Sequence, residues 1–389
     1  MRSCNDCRVL LWLMAFAVFA ACRKPYLPPA IKASNHYLVI DGFVNTGPNA
    51  ITSITISRTR NLVDSVSNIP ELHAHATIQA SNGASFSLQD IAGNGIYTSA
   101  ALNLDPSGKY QVAVTTSDGS KYLSDYTTAQ TAPSIDSITW QLAYDTLQST
   151  QVLTVYANTH DPANNTRYYR WDYTGTWEYH SFYQSAWGLQ GDTLVFPVDS
   201  TTSTATCWIS EHSTNIILAS SAALAQDIIS NAPVAQFNKD DYRLDVRYSM
   251  LLRQYPLTAA AYNYWLLLQK NSESLGGLFD LQPSQLDGNI HCINNPSEPV
   301  LGYITASSEQ EKRIFIDNHT QLPGWQSNPS NSCTITGIPQ DPNNSLLFHA
   351  PDTTFAPYYF VTGGIYISKK PCLDCRRAGG QNIKPSFWQ

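Results

Sequence analysis

Eight cysteines punctuate the sequence, and their placement carries its strongest chemical signal. Cys4, Cys7 and Cys22 sit in or at the end of an apolar leader, which leaves Cys207, Cys292, Cys333, Cys372 and Cys375 for the body of the chain. An exported compartment favours disulfides among these five, and an odd number leaves at least one thiol unpaired or paired between chains. Cys372-Leu-Asp-Cys375 has two further readings. With Cys333 and either His291 or Cys292 it could ligate zinc in tetrahedral geometry. It could also be a redox pair, although it follows the strand-like run GGIYISKK and not the helical context of a thioredoxin-like site.

Other reactive types are present without a supporting pattern. His73 and His75 alternate and could face one side of a strand, but a solvated strand face accounts for them. Asp240 and Asp241 are adjacent and would point apart on a strand, and a calcium loop needs more oxygen ligands at regular spacing. The Gly-x-Ser-x-Gly elbow, Ser-x-x-Lys, the phosphate-binding glycine loops and His-Glu-x-x-His are all missing from the sequence. No catalytic residue, metal or cofactor is assigned.

Aromatic residues are a separate signal. Tyr168, Tyr169, Trp171, Tyr173, Trp177 and Tyr179 fall within one alternating run, followed by Phe182, Tyr183 and Trp187. On a strand the odd-numbered members Trp171, Tyr173, Trp177 and Tyr179 share a face. Such a face suits a ligand or a protein partner, and it equally suits packing between sheets.

The elements that must position these residues are mostly strands. Over residues 36–128, short alternating runs such as SITISRTR and GKYQVAVTTS are broken by Asn82-Gly83 and Asp118-Gly119, the preferred residues of tight hairpin turns. The spacing predicts an immunoglobulin-like or transthyretin-like β-sandwich. AQTAPSIDS, at 129–137, reads as the hinge into a larger β-rich domain over 129–389 that ends in the Cys-x-x-Cys tail. One segment breaks the β pattern. In Thr258–Ser272, Ala261, Tyr264, Trp265 and Leu268 recur at i, i+3, i+4 and i+7, which predicts one amphipathic helix with Thr258 as N-cap. The fold class expected is therefore mainly β.

Composition agrees with an exported β protein. The chain has 389 residues, 43% of them hydrophobic and 11% aromatic, which argues against intrinsic disorder. Charged residues make up only 14%, the net charge is −7, and there is no basic tract, so nucleic acid is not an expected partner. Arg2 and Arg8 precede the apolar run Val9–Ala21, which is shorter than a membrane span and fits a signal peptide over 1–21. Ala20, Ala21 and Cys22 then resemble a bacterial lipobox, with Phe19 a departure from its strictest form. Cys22 is the expected site of lipidation, and Pro-rich residues 22–35 the tether. Arg23 and Lys24 stand where an acidic surface-export signal would be, so either membrane face is open.

Several segments together carry a family resemblance. They are Tyr168–Trp177 (YYRWDYTGTW), Arg253–Trp265 (RQYPLTAAAYNYW), Leu278–Asn289 (LFDLQPSQLDGN), Val300–Ile316 and the tail Cys372–Trp388 (CLDCRRAGGQNIKPSFW). With the lipobox, they resemble the domain-of-unknown-function 4249 family of exported Bacteroidetes lipoproteins. Members of that family are usually encoded beside a TonB-dependent receptor and have no established activity. The resemblance implies a non-enzymatic lipoprotein of the outer membrane, anchored by its lipid, which partners such a receptor in nutrient capture or uptake. A stand-alone glycan- or peptide-binding lipoprotein is the alternative, and a hydrolase with an unrecognised site the third. Phe387 and Trp388 are expected to dock in the core, with docking against the partner as the alternative.

Overall fold

The computed structural model describes residues 36–60, 69–147, 149–184, 188–190, 193–195, 203–273, 287–325, 327, 333–339, 355–362 and 364–389. The expected signal peptide (1–21), Cys22, the expected tether to residue 35, Trp187 and most of Leu278–Asn289 lie outside the described residues. The chain is mainly β, and its strands make two successive sandwiches.

In the first sandwich, alternation decides the inner face. Ser53–Arg58 turns Ile54 and Ile56 inward, and His75–Ala80 turns in Ala76, Ile78 and Ala80. With Leu38, Ile40 and Val44 these side chains form a dry core between two sheets, where burial of each large aliphatic contributes about 1.5–3 kcal/mol. Gly83 and Gly119 take φ of +90° and +87° at the tips of hairpins, a conformation that excludes most side chains.

The sandwich is completed from far along the chain. Leu38–Asn45 pairs antiparallel with Ser53–Arg58 and, at its other edge, parallel with Thr305–Ser307. Ile290–Cys292 adds to Lys121–Ser124 in the opposite sheet. Ile290, Val300, Ile304 and Ala306 enter the same core. Residues 290–307, expected in the second domain, thus belong structurally to the first. Gly302 allows the return: its φ is +130°, and a Cβ there would meet the Ile40 carbonyl oxygen at 2.0 Å.

The second sandwich packs a three-stranded sheet (Ile135–Asp145, Thr150–His160, Ile228–Asn238) on a larger one. In the larger sheet Tyr168–His180 is central, flanked by Arg247–Leu257 and then Gln310–Asp317 on one side, and by Thr206–His212 and Ile217–Ser220 on the other. The helix is Ala259–Glu273, and Thr258 caps it, its Oγ1 accepting from the Ala261 N–H at 3.2 Å. Among the described residues no helix is long and apolar enough to cross a membrane.

Candidate binding groove

Strand Tyr168–His180 has two chemically different faces, and the register of the sheet assigns them. The odd-numbered face is core. Tyr169, Trp171 and Trp177 are buried, and Tyr173 and Tyr179 pack against them. Trp171 stacks on Tyr169 with centroids 5.6 Å apart, and its Nε1 donates to Gln254 Oε1 at 3.0 Å. Trp171 and Trp177 are therefore buried in an inter-sheet layer on which Tyr173 and Tyr179 pack; of these four candidates for a ligand or partner face, Trp171 and Tyr173 also border the groove described below. The reason for the burial is the opposite face, which carries Arg170, Asp172, Thr174, Thr176 and Glu178. Those charges could not all be buried between sheets, so the rings are.

The even-numbered face is divided between two coverings. Its lower half, around Glu178, lies under the C-terminal tail. Trp388 is buried there, packed against Phe315 at 5.5 Å and Trp208 at 6.4 Å, with Nε1 donating to Glu178 Oε2 at 3.2 Å. Phe387 lies over the Arg313 guanidinium at 3.6 Å.

Cystines fix this tail. Cys375 bonds Cys207 and Cys372 bonds Cys333, while Cys292 is free and buried. The Cys-x-x-Cys pair is thus split between two partners, which removes the redox and zinc readings of it. Cys292, a disulfide candidate from sequence, is the odd thiol; it sits in a sandwich strand opposite Tyr122. Among the described residues no cluster of three or more His, Cys, Asp or Glu side chains could hold a metal ion. His73 and His75 are exposed, and Asp241 caps a turn and pairs with Arg243.

The upper half of the face is open. It forms one wall of a groove of about 970 Å³ between the two sandwiches, within the size range of small-ligand sites. Phe43 and Asp41 project from the facing strand of the first sandwich. Tyr264, Trp265 and Leu268 project from the helix, so the face that marked it as amphipathic lines a cleft. Tyr303, on the returning segment, packs on Tyr264 at 5.2 Å. Ring contact also joins the sandwiches directly, with Phe43 on Tyr255 at 5.0 Å.

Charge in the groove follows the cross-strand register. Asp172 lies opposite Arg253, and Arg253 opposite Glu311, so Arg253 makes both ion pairs, at 3.2 and 2.9 Å. Arg170 lies opposite Tyr255. Its guanidinium rests 4.8 Å from the Tyr255 ring centroid and 4.5 Å from that of Trp265. No ion pair of Arg170 is found among the described residues. Burial pushes the phenols of Tyr255 and Tyr264 up, which keeps them protonated donors at neutral pH.

Glu309 is raised above the ordinary carboxylate value, chiefly by burial and then by Glu311, and it accepts from Asn45 Nδ2 at 3.0 Å. A raised acid binds more protons folded than unfolded, so its contribution to stability falls as pH climbs through and above 4.5. Glu309→Gln keeps an acceptor for Asn45 and removes the charge. It is expected to raise the melting temperature at pH 7.5, with the gain vanishing below pH 4.5, as thermal melts across pH would show.

Sequence reasoning found the helix face but missed Asp41, Phe43, Arg170, Asp172, Arg253, Tyr255 and Glu309. The available signal was the alternation of charge with rings in YYRWDYTGTW, which marks a strand with one face outside the core.

Comparison with known proteins adds a family and little else. No curated protein matches the sequence. Among solved structures, a DUF4785 family protein from Legionella pneumophila aligns at 12% identity and a TM-score of 0.17. That alignment covers 56% of this chain and about half (52%) of the other, and at that score it carries no argument. The model of a domain of unknown function, DUF4249, matches residues 23–313. The match covers the first sandwich, most of the second and every groove residue named above, and it ends within Gln310–Asp317, before the cystine-bound tail. On that match, the chain belongs to the DUF4249 family.

Proposed function

We propose that the protein is a lipid-anchored capture protein of the outer membrane. In this reading it is non-enzymatic and works beside a TonB-dependent receptor in nutrient uptake. Cys22 holds it to the membrane, and the groove takes the cargo. The observation that supports the reading best is the groove itself. It is an open cleft between two rigid sandwiches, lined by rings and by side chains of both charge signs, as a binding site needs to be. The apolar leader ending in Ala-Ala-Cys22 supports the anchor.

Two measurements test it. Cys22→Ala is expected to abolish incorporation of labelled palmitate and release the chain to the soluble fraction; retention in the membrane would sink the anchor. The second is a pull-down from gently solubilised outer membranes. The epitope belongs between Cys22 and His36, because Trp388 is buried and a C-terminal tag would disturb the tail. A stoichiometric TonB-dependent receptor is the expected result. Recovery of the protein alone in good yield would favour the stand-alone binder.

A further inference from the structure

We infer that the groove binds a neutral oligosaccharide. This deepens the capture reading by naming the class of its cargo, and it is tested without any receptor.

The strands that wall the groove decide against an extended peptide. Leu38–Asn45 is hydrogen-bonded on one side to Ser53–Arg58 and on the other to the returning segment, where Ile40 N donates to Leu301 O at 2.9 Å. Tyr168–His180 is likewise paired on both sides, and Arg247–Leu257 is so over Arg247–Gln254. An extended peptide that binds by strand addition needs a free sheet edge, and over these paired stretches neither wall offers one. Recognition must then come from side chains.

Those side chains match the surface of a sugar. A pyranose has C–H-rich faces that pack on aromatic rings and a rim of hydroxyls that both donate and accept. The groove supplies Trp265, Tyr264 and Phe43 as half-buried rings and Ser53, Thr55 and Ser57 as hydroxyls along one strand. Arg170 is a planar donor held flat by two rings, with no ion pair among the described residues. Asp41, exposed on the opposite wall, is an acceptor. Arg253 is already neutralised by Asp172 and Glu311. The lining sets Arg170 and Arg253 against Asp41, Asp172 and Glu309, so it leans acidic and disfavours an anionic ligand, and donors with acceptors on facing walls suit hydroxyls. The volume of about 970 Å³ holds a few sugar rings.

The experiment uses the acylated full-length protein in detergent and titrates it by tryptophan fluorescence and calorimetry. The probes are cello-, xylo-, malto- and galacto-oligosaccharides of roughly three to six units, with mixed hexapeptides as the comparison. At least one oligosaccharide is expected to bind with a Kd below about 1 mM, and more tightly than any peptide. Trp265→Ala is expected to weaken that binding about tenfold, equivalent to ~1.4 kcal/mol, without loss of the cooperative thermal transition. Asp41→Ala, on the opposite wall and exposed, serves if Trp265→Ala fails to fold, and about a fivefold loss is expected. The inference is overturned if no oligosaccharide binds, if peptides bind more tightly, or if binding survives the folded variants unchanged. A receptor found in the pull-down together with no sugar binding would overturn the cargo class and leave the capture reading standing. Sugar binding with no receptor would keep the cargo class and overturn the receptor partnership.

Discussion

Removing the Cys207–Cys375 cystine, as Cys207→Ala/Cys375→Ala, is expected to cost roughly 2–5 kcal/mol of stability. Both residues are fully buried, and the bond spans 168 positions of chain. The chain-entropy relation assigns about 5 kcal/mol to a loop that long, and about 4 kcal/mol to the 39-position span of Cys333–Cys372. The first pair should therefore be the costlier to lose, by about 1 kcal/mol. Against a typical total of about 5–15 kcal/mol, either loss is large.

The tail would not simply detach. Gln381 exchanges two backbone hydrogen bonds with Trp208, at 2.9 and 3.0 Å, and Cys375 N donates to Thr204 O at 2.8 Å. What the cystine adds is a limit on how far the unfolded chain can expand. Urea unfolding of the oxidised variants measures the cost. Thiol titration of the chain from residue 23 onward should find one thiol, Cys292, reactive only after denaturation. A second reactive thiol, or an unchanged urea midpoint in the double variant, would refute the pairing or its energetic role.

How much of this was legible beforehand depended on the range of the interactions involved. Period-two alternation placed Ser53–Arg58 and His75–Ala80, because a strand with one buried face writes that face into every second residue. Gly83 and Gly119 marked their hairpins, since their φ values exclude most other residues. The helix of Ala259–Glu273 was visible from its spacing and from Thr258. Non-local choices were hidden. Thr305–Ser307 is a three-residue strand, too short to carry a period, and its parallel partner lies 262 positions away at Phe43. Nothing in its own residues could assign it to the first sandwich. The cysteine pairing was hidden for the same reason: spacing along the chain says nothing about which sulfurs meet. The groove was half legible. Its helical rings were seen as an apolar face, but the apolar face of a helix reads the same whether it covers a core or walls a cleft.

The faces of Tyr168–His180 are where physical argument could have gone further, and they carry the other large expectation. Trp171→Ala should unfold or nearly unfold the second sandwich. Trp171 is 1% exposed, and truncating a core tryptophan costs about 3–5 kcal/mol through the cavity it leaves. A second penalty acts on Gln254, which is fully buried with its amide completely engaged. Its Oε1 accepts from Trp171, and its Nε2 donates to Pro133 O at 2.8 Å and Thr159 Oγ1 at 3.1 Å. Losing the indole leaves that acceptor unpaired in the core, a further cost on the order of 1–3 kcal/mol that overlaps with the cavity cost. Trp171→Phe separates the two, because it refills most of the volume and still orphans Gln254. Pairing it with Gln254→Met should recover none of the loss, because it leaves Pro133 O and Thr159 Oγ1 without their donor. Trp265→Ala, in the groove, should by contrast leave the cooperative transition in place. Circular dichroism melts of the four variants decide the matter. A Trp171→Ala protein that melts within a few degrees of the wild type would mean that the strand presents its rings outward, and the groove would then have to be rebuilt on the opposite face.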